Sequence, residues 1–276
     1  MLKASQKCRR DDIYSVTFFW GHGSLLVVSL LESEAVVIKT YPLAEADKIV
    51  VAYTRKYGKL RGVARGARRL RSRFAGRLEL FSWIGISAFE RENQDLVQID
   101  KVDLIRSFGL GCGNYRCFLQ LNLLGELLIE TVPEHEPNEP LFRLLLLVLP
   151  EIQDPTRSDL AQLYFEVWHL KLAGLFPSYR TCGQCGVSLF NAAHVFYGSA
   201  LNMFLCGNCK GKALPSISSK SYQLLHHVLT EPLGHLNGSF GLTDGDSRDL
   251  ADMVETQLQR SFERRFDCLT LVRNQS

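Results

Sequence analysis

Cys182-Gly-Gln-Cys185 and Cys206-Gly-Asn-Cys209 are the residues of this chain whose types and spacing point most directly to chemistry. Two C-x2-C knuckles separated by 20 residues fall inside the spacing of a structural zinc site. Each knuckle lets two thiolates converge on one ion from a tight turn. The glycine after the first cysteine of each pair, Gly183 and Gly207, gives the backbone room to make it. Four cysteinates would close a tetrahedral shell around Zn2+ and leave no position open for water, so the ion would be structural and not catalytic. A disulfide pair is the competing reading, disfavoured where thiols are kept reduced. His194, between the knuckles, could replace one sulfur, although four cysteines already suffice. Cys8, Cys112, Cys117 and Cys268 lack paired spacing and read as incidental thiols.

The second concentration of chemistry is electrostatic. Arg55, Lys56, Lys59, Arg61, Arg65, Arg68, Arg69, Arg71, Arg73 and Arg77 follow one another without an acidic residue between them. Solvated faces normally mix signs, so a single-sign stripe points to a polyanion such as a phosphate backbone. Strand alternation puts Lys59, Arg61 and Arg65 on one face. Arg68 to Arg77, with Gly66 and Gly76 near its ends, reads as a mobile loop. Tyr53, Tyr57, Phe74, Phe81 and Trp83 are interleaved with the cations, and a ring beside a cationic groove offers a base-stacking platform. The candidate nucleic-acid contacts are therefore the ten cations with Tyr57 and Phe74. Nothing resembles a base-reading helix, so binding should be blind to sequence.

The elements that must position these groups follow from the pattern of the chain. Its 276 residues, 46% apolar and 22% charged, suit one large or two ordinary globular domains. After a stretch over residues 1–30 without a clear period, short runs rich in β-branched and aromatic residues predict five strands: 35–40, 48–54, 59–65, 78–89 and 96–102. Tyr57-Gly58 supplies a hairpin turn between the second and third. Neighbouring strands leave no room for a helical crossover, which favours a small closed barrel. Beyond Gly109-Leu-Gly111 the period becomes helical, over 114–132 with Phe118, Leu121 and Leu124 among its apolar positions, 141–149 up to Pro150, a segment capped by Ser158 or Asp159 and ended by Gly174, 220–229, and 247–266. Strands first and helices second make an α+β protein.

Several chemistries are excluded. Neither Gly58-Lys59 nor Gly211-Lys212 completes the phosphate loop of a nucleotide-hydrolysing motor, and no H-E-x-x-H or G-x-S-x-G occurs, so an enzyme is not expected. Gly109-Leu-Gly-Cys-Gly113 lacks the register of a dinucleotide loop and reads as a hinge. Glu134, His135 and Glu136 sit between Pro133 and Pro137 in a surface loop. The basic N-terminus and the apolar run 25–31 make a poor signal peptide, and no apolar run reaches about 18 residues, so a soluble cytoplasmic protein with reduced thiols is expected.

The order of these parts resembles one family, the bacterial recombination-repair RecO proteins. The carrying features are Glu34-Ala-Val-Val-Ile-Lys39 followed by Tyr41-Pro-Leu43, the hairpin Lys56-Tyr-Gly-Lys59, the run Val63-Ala-Arg-Gly-Ala-Arg-Arg69, the helix end Gly174-Leu-Phe-Pro177, and the Cys182 to Cys209 loop. The resemblance covers residues 31 to 272. It implies an N-terminal five-stranded OB-fold over 31–106 and a helical domain over 107–276 with an inserted zinc loop at 182–209. Residues 1–30 would be a poorly ordered extension. It further implies binding of single- and double-stranded DNA, strand annealing, and action with RecR, and indirectly RecF and RecA, to help RecA replace the single-strand-binding protein (SSB). The acidic, Phe-ended SSB tail would need a basic and apolar groove, expected on the helical domain around Arg260, Arg264 and Arg265. Not every RecO-like protein keeps the four cysteines, in keeping with a scaffold role. The alternative from another class is a zinc-ribbon factor whose barrel binds structured RNA.

Overall fold

Runs such as Ala35-Val-Val-Ile38 and Ile49-Val-Val-Ala52 combine β-branched side chains with burial on both sides of the pleat, which places them in a closed sheet, not a half-solvated one. A computed structural model of the chain describes residues 8–10, 13–20, 24–92, 94–190, 192, 194–211, 214–236 and 248–273, and for residues 8–27 it describes the backbone alone. Seven strands share the first sheet: β1 (Cys8–Arg10), β2 (Ile13–Trp20), β3 (Ser24–Leu43), β4 (Asp47–Thr54), β5 (Gly58–Ala64), β6 (Ser82–Arg91) and β7 (Val97–Ser107). The 20-residue β3 serves two neighbours. It pairs with β6 from Val28↔Arg91 to Val36↔Trp83 and with β4 from Ala35↔Thr54 to Leu43↔Asp47, with a register shift between Val37 and Lys39. β4 pairs with β5, β5 runs parallel to β7 at Gly62↔Val97, and β7 returns to β6. The circuit β3-β4-β5-β7-β6-β3 closes a five-stranded barrel with OB-fold strand order and removes its free edges.

The barrel interior is filled by Ala35, Val37, Val50, Ala52, Ala64, Ile84, Ile86, Ile99 and Val102, together with Phe74 and Leu78 from the segment between β5 and β6. That segment is the expected mobile loop, and the structure corrects the expectation. Phe74 and Leu78 anchor it in the core, while Gly66 N–H donates to Asp47 Oδ1 at 2.7 Å and Arg68 N–H to the Ala46 carbonyl at 2.9 Å. The predicted strand 78–89 starts only at Ser82, because Phe81 takes a positive φ of 57° and turns the chain inward. The expected poorly ordered extension over 1–30 lies partly outside the described residues. Of those described, β1 and β2 form an antiparallel ribbon continuing the sheet from β3.

The chain divides into two compact units, 1–112 with 125–142 and 113–124 with 143–276. The first therefore takes in the end of α1 (Tyr115–Thr131) and the start of α2 (Glu139–Ile152). Within it Gly125 lies against the barrel: a Cβ there would stand 3.2 Å from the Ile38 carbonyl and from Phe81. Pro150 falls in the last turn of α2, where its missing N–H forfeits one bond without stopping the helix. In the second unit α3 (Ser158–Leu172) is buried nearly all round and ends at Gly174, whose φ is +71°. Asp159 does not cap it; its carboxylate is 2.6 Å from the Arg116 guanidinium. Strands β8 (Val195–Gly198), β9 (Met203–Cys206) and β10 (Ser216–Ile217) make a three-stranded sheet in the order β10-β8-β9. Ser218 caps α4 (Ser219–Thr230) by accepting from Ser221 N–H. The single helix expected over 247–266 is two, α5 (Arg248–Ser261) and α6 (Asp267–Arg273), because Glu263 adopts a positive φ of 52°. Phe118, expected to pack inward, is 49% exposed.

Candidate metal centre and nucleic-acid interface

The basic segment starts at the β4–β5 hairpin. Thr54 Oγ1 accepts from Tyr57 N–H at 3.0 Å and donates to the Gly58 carbonyl at 2.8 Å, and Gly58 takes a φ of +66°. The hairpin meets the 133–137 loop so closely that a Cβ on Gly58 would lie 2.2 Å from the Glu136 carbonyl oxygen. Around this hairpin three cations of the segment find partners, although of the three only Lys59 is buried. Lys59 is 5% exposed, its ammonium donates to the Ile129 carbonyl, and burial pulls its pKa down against the opposing pull of Glu134. Arg61 is held 2.7 Å from Glu134. Arg55 lies between Glu34 at 3.3 Å and Glu139 at 3.5 Å, with its guanidinium 5.0 Å from the Phe142 ring centre. Glu134 and its neighbours thus act as a cover for the barrel hairpin.

Further along, the charge reaches solvent. Arg65, Arg69 and Arg71 are exposed, and among the described residues their side chains make no hydrogen bond or ion pair. Arg68 and Arg77 are exposed too, each with one donor on a main-chain carbonyl, of Ala44 and Val102 respectively, at 2.8 Å. Arg73 divides its charge between Asp100 at 3.4 Å and the Phe74 ring. Lys56 is exposed. The aromatic expectation needs correction: Phe74 is 2% exposed, and Tyr53 and Phe81 are buried, so none of the three can receive a base. Tyr57 is half-buried against Leu31, Leu60, Ala88 and Val97. Trp83 is half-buried and donates from Nε1 to Glu34.

Two features were missed in the sequence. Lys39 stands 5.4 Å from the ring centre of Tyr41, which is 42% exposed, a pairing that the i, i+2 spacing along β3 could have shown. A cavity of 560 Å³ opens between the β3–β4 turn and residues 94–96 ahead of β7, lined by Arg65 with Arg91, Asp47, Asp95 and Gln98. Arg91 belongs to this rim only because β6 folds back beside β3, which no local pattern announces.

The four knuckle cysteines converge. Their sulfurs all lie within 4.8 Å of one another, and Cys185 and Cys206 are 3.7 Å apart. Four sulfurs held at about 2.3 Å from a tetrahedral ion would be about 3.8 Å apart, so the set fits one metal ion. β9 delivers Cys206 opposite Val195, and the Cys182 N–H donates to the Val187 carbonyl at 2.8 Å, closing the first knuckle. The glycine expectation shifts: the left-handed backbone is at Gly186 and Gly211, while Gly183 is needed because a Cβ would stand 2.8 Å from Met203 Cβ. Burial pushes the Cys182 thiol up, but N–H groups of Cys185, Cys206 and Gln184 outweigh it and bring it to about 6. Hydrogen bonds with Cys185 and Cys206 push Cys209 up to about 12. His194 lies outside the cluster, exposed and 6.4 Å from the Phe196 ring. Cys112 and Cys117, expected to be incidental thiols, are disulfide-bonded.

Comparison with known proteins matches both units. Residues 28–108 fit the family described as Recombination protein O N terminal, and residues 118–267 fit Recombination protein O C terminal. The chain is 31% identical over 243 residues to the DNA repair protein RecO of Koribacter versatilis, covering 88% of this chain and 98% of that protein. It is 34% identical over 211 residues to the DNA repair protein RecO of Thermodesulfovibrio yellowstonii, covering 74% and 82%. Among the described residues no helix is long and apolar enough to cross a membrane.

Proposed function

We propose, from the premise that the chain belongs to the RecO family of DNA repair proteins, that it is a recombination mediator and strand-annealing protein. It binds single- and double-stranded DNA, pairs complementary strands, and acts with RecR, and indirectly RecF and RecA, to help RecA replace SSB on gapped DNA at the cytoplasmic nucleoid. The observation that carries this reading is the basic loop: Arg65, Arg69 and Arg71, without acidic partners among the described residues, project from a segment pinned by Phe74 and Leu78. Because the loop backbone is anchored, a strand has to order only the arginine side chains and not the segment that carries them, which lowers the entropic cost of the contact. The adjoining cavity lies between the turns that OB-folds commonly use to hold oligonucleotides.

Annealing asks only for binding energy. Cations screen the repulsion of two phosphate backbones, and sequence-blind contacts let strands slide into register. The chain then acts without turning over a substrate. Cys182, Cys185, Cys206 and Cys209 would hold one Zn2+, which would supply folding energy and, with four cysteines closing its shell, no Lewis-acid step. The SSB tail docks near the exposed Arg260 in the last turn of α5 and Arg264 and Arg265 just past its end. The test is annealing of complementary strands, naked and SSB-coated. Equal rates with and without ATP, and slowing of only the coated reaction on deletion of the SSB tail, are expected. Absence of any acceleration over spontaneous pairing would sink the proposal and leave the RNA-binding reading.

A further inference from the structure

The second unit carries an acid-free stretch of its own. From Val167 to Thr230 the chain contains no aspartate or glutamate, while Lys171, Arg180, Lys210 and Lys220 are exposed within it. On this surface four side chains meet. Phe190 is 60% exposed and sets its ring edge-on to His226 at 5.2 Å. The His226 ring lies 6.1 Å from that of Tyr179, whose hydroxyl is 3.1 Å from its Nδ1. The Arg180 guanidinium stands 5.7 Å from the Tyr179 ring centre, and its Nε donates to the Tyr179 hydroxyl at 3.3 Å.

The first cysteine knuckle builds this arrangement. Thr181 bridges Ser188, Leu189 N–H donates to the Arg180 carbonyl at 2.9 Å, and the Leu189 side chain is fully buried. The chain entering the knuckle at Arg180 and the chain leaving it at Phe190 are therefore held side by side. A metal ion that closes the knuckle fixes the distance between them.

We propose that Tyr179, Arg180, Phe190 and His226 form a second single-strand nucleic-acid site, with a nucleobase stacked on Phe190 and the adjoining phosphate on Arg180. A projecting flat ring beside a guanidinium matches a nucleotide; an apolar peptide side chain would want a concavity. Carboxylates repel a phosphate; the stretch itself carries none, and Glu231, the first acid after it, is held by His227 at 2.6 Å. The inference rests on the annealing reading above, since pairing requires two strands to be held at once and the barrel supplies one site.

The test uses the full-length, metal-loaded chain and a 5-iodouracil-substituted oligothymidylate, photo-crosslinked and mapped by peptide mass. Adducts at Tyr179 or Phe190 are expected in addition to adducts in the barrel. Arg180→Ala with Phe190→Ala should remove the former, keep the latter, and weaken strand binding about tenfold in a chain already carrying Arg65→Glu, Arg69→Glu and Arg71→Glu. Cys206→Ser should remove the same adducts while leaving those of the barrel. Phe190 is exposed, so retained metal content will show that the double variant is folded. Adducts confined to the barrel, or an affinity indifferent to the double substitution, would overturn the proposal and leave the annealing reading standing. No adduct anywhere, with no binding at any salt, would overturn the annealing reading instead. Binding of a Phe-ended acidic peptide that depends on Phe190, without any strand adduct there, would assign the surface to a protein partner and refute the proposal.

Discussion

The salt dependence of single-strand binding separates the cations that lack a carboxylate partner from those that are paired or buried. Of the ten in the Arg55 to Arg77 segment, Arg55, Arg61 and Arg73 are paired with carboxylates and Lys59 is buried. If about three to five of the remainder touch phosphates, log K against log salt should fall with a slope of about −2 to −3.5. Reversing Arg65, Arg69 and Arg71 together should remove about 2 from the magnitude of that slope. Between 50 and 200 mM salt the wild-type chain should then lose about 60-fold in affinity and the triple variant only about fourfold. Anisotropy of a labelled oligothymidylate over a potassium chloride series reads both numbers. Lys59→Gln supplies the contrast: it deletes a hydrogen bond to the Ile129 carbonyl and should cost about 1–3 kcal/mol of stability while leaving the slope alone. If Lys59→Gln flattened the slope as much as the triple reversal, the division between buried and available charge would be refuted.

Metal analysis of protein purified under reducing conditions should find about one zinc per chain, and Cys206→Ser should lose it along with on the order of 10 kcal/mol of local folding energy while the barrel still melts cooperatively. His169 is 3% exposed and burial lowers its pKa to about 4, so the unfolded chain takes up this proton first as pH falls. Its contribution is complete above about pH 6.5 and declines toward pH 4 by up to about 3 kcal/mol, and His169→Gln should remove that part of the acid sensitivity in a denaturant titration. Gly58→Ala faces both a φ of +66° and the Glu136 carbonyl, and should lower the barrel's melting temperature by several degrees, read by circular dichroism. An unchanged melting temperature would show that the 133–137 loop yields freely.

The pinning of the basic loop bears on how such a chain can be fast without being selective. Arg69 and Arg71 project from turns whose base is tied to the β3–β4 turn by the Asp47 carboxylate and the Ala44 and Ala46 carbonyls. Charge on a fixed frame steers a strand without reading it, whereas charge on a floppy one would spend part of its attraction on ordering itself.

The convergence of the four cysteines was legible from the sequence, because a C-x2-C turn is a local structure, whereas the glycines that take the left-handed backbone, Gly186 and Gly211, were not the ones expected. The β-strands were legible for a similar reason: alternation and turn residues are written within a few positions, and closure into a barrel followed from the lack of crossover helices. What only the tertiary structure decided was the fate of each charge and ring in the basic segment. Alternation correctly placed Lys59 and Arg61 on one face of β5, but nothing near them in sequence says that Glu134 and the carbonyl of Ile129, some 70 residues away, will cover that face. Phe74 looked like a stacking platform because it stands among arginines, and it became core because the loop had to close over the open side of the barrel. Charge is additive along a sequence, whereas its availability depends on which distant acids and carbonyls the folded chain brings within about 4 Å, a range at which a single carboxylate cancels a single guanidinium.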